Sequence, residues 1–203
     1  YRSLNPNVWP TEITAFRDAM LALYDALGKL AGELLVATSL YLQESPAFLS
    51  QLAFEGDTIL RLIHYPPVAS DAHPSAIRAA AHEDINLLTI LCEATSGGLE
   101  LLQHDGRWRA IHAQHGHLIV DAGDMLQHVS NGLLKSTTHR VVNPNNSRDR
   151  RFSMPYFVHP RPDADLTPRP GAIARTGGEA RYPAMSGGQF LQQRLAEIGL
   201  GTV

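Results

Sequence analysis

From Thr58 onward the chain breaks into short apolar runs separated by Gly, Pro, Asn and Asp, and that rhythm restricts the fold more than any other feature. The runs cover residues 59–65, 86–91, 99–104, 108–110, 118–121, 138–142 and 152–158. They are short, and residues that favour turns bound them, so they read as strands. Gly97-Gly98, Asp105-Gly106 and Asn143-Pro144 supply turns, and Asp105-Gly106 between two runs is a hairpin signal. Many short strands with few intervening helices imply an antiparallel sandwich or barrel.

The flanks have a different texture. Pro10 and Thr11 open a long helical region with Thr11 as its expected cap, and apolar residues recur at Phe16, Met20, Leu23, Leu27, Leu30, Leu34 and Leu35 until the pattern fades near Leu40. A second helical piece is expected over 47–53, before Gly56 and Asp57. Residues 160–183 are rich in Pro, Gly and Arg and read as an extended loop; 189–198 read as a short helix ended by Gly199. The expected organisation is a helical part over 1–57, a β core over 58–160, and a tail with a terminal helix over 161–203. The chain starts at Tyr1 rather than Met, immediately before a helical stretch, so a preceding segment is expected to be missing.

Composition removes several classes of function. A net charge of −3 gives no reason to expect a nucleic acid or an acidic membrane surface as partner. No apolar run approaches the roughly 18–20 residues that a membrane span requires. The single cysteine, Cys92, cannot form an internal disulfide, which fits a reducing cytoplasm, and its strand-like surroundings read as core. Nothing in the sequence bears on oligomeric state.

Ten histidines are unusual beside 17 lysines and arginines, and six of them fall between His82 and His128. In Ala81-His82-Glu83-Asp84, His82 and Asp84 are two apart, and in an extended chain such residues point to the same side. A third ligand has to come from elsewhere, and His139 follows 55 residues later. Two imidazoles and a carboxylate on one octahedral face leave sites free, as Fe(II) oxygenases require; zinc can also use such ligands. An H-x-D pair can equally mark a surface turn. Arg151 and Ser153 again lie two apart and share a face, where a planar guanidinium and a hydroxyl suit a carboxylate. Arg151 can instead close a solvated basic run with Arg148 and Arg150.

Together the segments LIHYPP (62–67), AHEDINLLTIL (81–91), GGL (97–99), DAGDMLQHVSNGLLKSTTHRVV (121–142) and RFS (151–153) resemble the isopenicillin N synthase-like family of 2-oxoglutarate/Fe(II) dioxygenases. The block SNG-x-x-KS-x-x-HRV, from Ser130 to Val141, is especially specific to it. The resemblance spans roughly half the chain. It implies a mainly β (α+β) fold, a double-stranded β-helix or jelly roll, with a helical prefix and a short C-terminal helix. It implies Fe(II) held by His82, Asp84 and His139, with 2-oxoglutarate as cosubstrate and O2 as oxidant. Arg151, Ser153 and Tyr65 would bind the distal carboxylate of 2-oxoglutarate, although Tyr65 can also be a half-buried strand aromatic. No catalytic residue is implied beyond the metal ligands. Many members carry Asn two residues before that tyrosine, where this chain has Ile63. Asn131, Lys135 and Ser136 are expected to shape the turn and strand entry before His139.

The implied reaction hydroxylates, desaturates or cyclises a small molecule, with release of succinate and CO2. Two alternatives accompany it. One is an Fe(II) oxidase of the same family that does not consume 2-oxoglutarate, as in isopenicillin N synthase and the aminocyclopropane-carboxylate oxidases. The other is an inactive, truncated jelly-roll module that holds metal, since the helices and strand that the family places upstream do not appear. His104, His112, His115 and His117 carry no family ligand and read as solvated loop histidines. The tail over 161–185 is expected to help line the substrate pocket. Arg169, Arg175 and Arg181 read as solvated charges that can also meet an anionic substrate.

Overall fold

A computed structural model describes residues 6–69, 71–73, 75–112, 114–143 and 149–199. Helix α1 (Phe16–Tyr41) and the short α2 (Phe48–Ala53) precede ten strands. These are β1 (Ile59–Leu60), β2 (Ile63–Tyr65), β3 (Ala79–His82), β4 (Leu88–Leu91), β5 (Leu99–Leu102), β6 (Trp108–Ala110), β7 (Ile119–Ala122), β8 (His139–Val141), β9 (Arg151–Ser153) and β10 (Pro155–Val158). Helix α3 (Asp124–Val129) interrupts them after β7, and α4 (Pro170–Arg175) and α5 (Gly187–Glu197) follow.

The paired strands are all antiparallel. One sheet runs β1-β10-β4-β7, a second runs β3-β8-β5-β6, and β2 pairs with β9. The chain passes repeatedly between the two larger sheets, from β3 to β4 to β5, then from β6 to β7 to β8. This winding is the jelly roll expected from the sequence.

Burial explains where the helices sit. Leu27, Ala31 and Leu35 on α1 share one cluster with Leu88 and Ile90 of β4 and with Tyr156 and Val158 of β10. The prefix therefore closes the back of the β1-β10-β4-β7 sheet, and each fully buried Leu or Ile contributes on the order of 2 kcal/mol. Ser39, buried on α1, donates to the Leu35 carbonyl (2.7 Å) and accepts from the Leu49 amide (3.1 Å), which fixes α2 against α1. At the other end, Ser186 and Gln189 form a capping box for α5, and Gly199 follows at φ 76°.

Several sequence expectations need correction. Helix α1 starts at Phe16, after a turn over 13–16, and Thr11 does not cap it. The expected strand over 59–65 is β1 and β2, and that over 152–158 is β9 and β10. Pairing nevertheless stays in one register across both breaks, Leu60 with Tyr156 and Ile63 with Ser153. The interruption falls at Met154-Pro155, where proline has no N–H to donate to the ladder. Strand β3 is an addition to the expected set, because its Ala79-Ala80-Ala81 run lacks the β-branched signal. Helix α3 is another, hidden by its six-residue length. The segment 160–183 is not simply an extended loop: it contains α4, and Ala164, Leu166 and Ala172 are fully buried. The Asp105-Gly106 hairpin is present between β5 and β6, with Gly106 at φ 80°. Pro144 of the expected Asn143-Pro144 turn and Arg148 lie outside the described residues.

Candidate metal centre

His82 ends β3 and His139 begins β8, and the two are direct partners across the ladder. A register irregularity between Ala79 and His82 puts them opposite one another, with ring centroids 4.3 Å apart. Asp84 lies past the end of β3, so the loop, rather than strand alternation, carries its carboxylate back to the histidines. Asp84 Oδ1 is 3.9 Å from His82 Nε2 and 3.8 Å from His139 Nε2. Among the described residues these three form the one cluster of His, Cys, Asp and Glu whose ligand atoms all lie within 4.8 Å of one another. The His82 side chain is 47% exposed, against 12% for His139 and 10% for Asp84, so solvent reaches the cluster from the His82 side.

The surrounding hydrogen bonds orient all three. His82 Nδ1 lies 2.7 Å from the Ala80 carbonyl and His139 Nδ1 lies 3.0 Å from that of Thr137. A carbonyl only accepts, so Nδ1 carries a proton in each ring and Nε2 is the nitrogen turned towards Asp84. Thr89 donates to Asp84 Oδ2 (2.5 Å) and accepts from Asn86 Nδ2 (2.9 Å), which turns Oδ1 to the histidines. Glu83 faces elsewhere and accepts from the Thr138 hydroxyl, tying the loop to the entry of β8. The loop also needs Gly123, because a Cβ there would fall 2.2 Å from the Asn86 carbonyl oxygen.

This chain of bonds gives a test. Thr89→Val keeps the volume and removes the hydroxyl. It is expected to weaken binding of a divalent ion by about 10- to 100-fold with little change in melting temperature, and Thr89→Ser should restore most of the affinity. Co(II) titration followed by absorbance measures it; unchanged affinity would show that Thr89 does not orient Asp84.

Asp121 faces Thr89 across the β4–β7 ladder. Burial and the neighbouring Asp84 push its carboxyl up to about 7, with Thr89 partly opposing. Sequence reading passed over Asp121, Thr89 and Asn86, since a polar residue in a short strand carries no mark of what faces it. Cys92 is half-buried, and burial pushes its thiol up, which disfavours the nucleophilic thiolate.

Arg151 is 2% exposed and Ser153 4%, while Phe152 between them is 43% exposed. The pair therefore points inward, and the solvated basic-run alternative fails for Arg151. Tyr65 pairs with Arg151 across β2 and β9, and the guanidinium lies 5.2 Å from the Tyr65 ring centroid. Arg151 Nε donates to the Ser96 carbonyl (3.1 Å), whereas Nη1 is buried and finds no partner among the described residues. Arg151 forms one wall of a cavity of about 130 Å³ whose other walls include Leu91 of β4, Leu99 of β5 and Ile119 of β7. A buried guanidinium with an unused donor in an apolar interior fits a carboxylate. The three-atom N/N/O cluster fits a divalent ion of intermediate softness.

The remaining candidates lie apart from the His-Asp-His cluster. Asn131, fully buried at φ 53°, donates to Thr176 Oγ1 (2.6 Å) and to the Glu179 carbonyl (2.9 Å), and it accepts from the Arg181 amide (2.7 Å). The Ser136 amide donates to Gln127 (2.9 Å), and Lys135 is exposed. His104, His112, His115 and His117 are exposed, with His115 beside Glu93 at 3.1 Å. Arg169 pairs with Glu44 (3.1 Å), Arg175 donates to the Tyr41 carbonyl (2.6 Å) and Arg181 to that of Thr176 (2.6 Å), so all three brace the fold. The tail residues Tyr182, Pro183 and Met185 line a cavity of about 390 Å³ beside Glu83 and Arg194.

A 2-oxoglutarate-Fe(II) type oxidoreductase, ppzD of Metarhizium rileyi, is 32% identical over 95% of this chain and 57% of its own length. The crystal structure of a protein of the 2OG-Fe(II) oxygenase family from Caulobacter crescentus superposes with a TM-score of 0.86 and 40% identity, over 97% of this chain and 64% of that one. A full-length protein of Neurospora crassa, solved in complex with alpha-KG and thymine, superposes with a TM-score of 0.85 and 32% identity, over 95% of this chain and 61% of that one. The chain thus spans about three fifths of the length of these relatives. The sequence profile of the 2OG-Fe(II) oxygenase superfamily matches residues 56–160, the stretch that carries both the His-Asp-His cluster and the buried arginine, and the chain belongs to that superfamily.

Proposed function

We propose that the protein is an Fe(II)- and 2-oxoglutarate-dependent oxygenase acting on a small molecule. The observation that carries this reading is one jelly roll holding both a His-Asp-His cluster and a buried Arg151 whose Nη1 has no partner among the described residues. His82 and His139 through Nε2, and Asp84 through Oδ1, would hold the iron. Arg151, Ser153 and Tyr65 would hold the distal carboxylate of 2-oxoglutarate. Bound iron, with 2-oxoglutarate and O2, supplies the oxidising power: the cosubstrate leaves as succinate and CO2, and one oxygen atom passes to the substrate in a hydroxylation.

The chain's own residues do the positioning. The carbonyls of Ala80 and Thr137 fix the imidazole tautomers, and Thr89 fixes the carboxylate. Leu91, Leu99 and Ile119 keep water from the Arg151 cavity, which strengthens a charge-assisted bond there. The Neurospora crassa relative solved with thymine supports a substrate of small-molecule size. No helix among the described residues is long and apolar enough to cross a membrane, and one half-buried cysteine suits a cytoplasmic setting.

Candidate small molecules are screened by succinate release coupled to O2 uptake. The expected result is release that requires iron, 2-oxoglutarate and one class of substrate. Turnover in the absence of 2-oxoglutarate would replace this reading with that of an oxidase that does not consume it.

A further inference from the structure

A second guanidinium lies beside Tyr65. Arg78 sits immediately before β3, and its Cζ is 5.9 Å from the Tyr65 ring centroid, against 5.2 Å for Arg151. Arg78 Nη2 donates to the Asp149 carbonyl at 2.5 Å. Its Nε and Nη1 are buried with no hydrogen-bonding partner among the described residues, which is also the condition of Arg151 Nη1. One phenol therefore has two arginines against it, with three buried donor nitrogens that lack acceptors among the described residues.

Such an arrangement is costly as it stands. Buried charged donors without acceptors forfeit their hydration, and two cations repel one another in a medium of low polarity. The repulsion registers on Arg151, whose guanidinium is held below its usual range first by burial and also by Arg78, with Tyr65 opposing. A single anion between the two guanidiniums relieves both costs. On β2, Ile63 shares the inward face with Tyr65 and offers no donor of its own, so beside the hydroxyls of Tyr65 and Ser153 the charged donors here are the arginines.

We propose that Arg78 is a second guanidinium for the distal carboxylate of the 2-oxo acid, gripping it together with Arg151 and Tyr65. This rests on the function proposed above. Arg78 makes the far end of the pocket a reader of full negative charge, so a 2-oxo diacid is selected over a 2-oxo monoacid of equal length. A purely bracing role for Arg78, through the Asp149 carbonyl, would instead affect all 2-oxo acids alike.

The test compares 2-oxoglutarate with 2-oxopentanoate, which carries a methyl group in place of the distal carboxylate. Both are titrated into the Fe(II) protein without oxygen, and chelation is read from visible absorbance. Arg78→Met is expected to raise the Kd for 2-oxoglutarate by about 10- to 100-fold, the loss of one or two charge-assisted bonds, while leaving that for 2-oxopentanoate nearly unchanged. Arg78→Lys should fall between, since it keeps the charge and loses the fork; it also carries the comparison if Arg78→Met does not fold. Equal weakening of both acids, or no change for either, overturns the proposal. Arg151→Met separates the two readings. If it weakens 2-oxoglutarate binding and Arg78→Met does not, only the role of Arg78 falls. If wild-type protein does not bind 2-oxoglutarate, the proposed function falls with it.

Discussion

In His139→Ala protein, iron binding and 2-oxoglutarate-dependent succinate release are expected to drop to background, more than about 100-fold below wild type. That floor follows from the usual 10- to 100-fold loss when only a supporting hydrogen bond is removed; a ligand atom itself should cost more. The geometry makes His139 the sharpest choice. It is 12% exposed, its Nδ1 is committed to the Thr137 carbonyl, and its Nε2 faces Asp84 at 3.8 Å. No neighbouring histidine among the described residues is placed to replace it, since His82 already occupies the opposite position in the ladder. Fold stability should change little, because the ring sits at the end of a strand facing the cluster rather than in the hydrophobic core. Metal analysis of the purified variant, with its melting temperature as control, decides the matter. A variant that retained wild-type iron would remove His139 from the site.

Arg151→Met is expected to raise the 2-oxoglutarate concentration needed for half-maximal chelation by about 100-fold or more, because the buried guanidinium's charge-assisted bonding to the distal carboxylate is lost. Iron affinity should persist. Stability should hold or rise slightly: replacing a buried, incompletely paired charge with an apolar side chain of similar length is often neutral or favourable. The combination distinguishes a binding residue from a structural one. A structural arginine would lose melting temperature and leave the 2-oxo acid titration unchanged.

The class of fold is legible in the sequence because its signals are local. Short apolar runs, an Asp-Gly hairpin and a helical prefix each depend on neighbours within a few residues. The misses are equally physical. The break in the β2–β9 and β1–β10 ladder depends on one proline facing Arg61 across strands, and α3 is only one and a half turns long. At the site, His82 and Asp84 are recognisable by spacing, yet the reason they meet differs from strand alternation. Asp84 is brought back by a loop that closes on Gly123 and Asn86. Thr89, Asp121 and Arg78 carry no local signature, because their importance comes from what the ladder or the barrel wall sets opposite them. Arg151 is readable as a carboxylate anchor only because Ser153 shares its face. That its Nη1 has no partner among the described residues is a matter of tertiary structure alone.

The most direct measurement is a titration of 2-oxoglutarate into the Fe(II)-loaded protein in the absence of oxygen, followed by visible absorbance. A charge-transfer band that saturates at one 2-oxoglutarate per chain, absent in His139→Ala and shifted to much higher concentration in Arg151→Met, is the predicted result. Iron that binds to His82, Asp84 and His139 but develops no band at any 2-oxoglutarate concentration would contradict the proposed function.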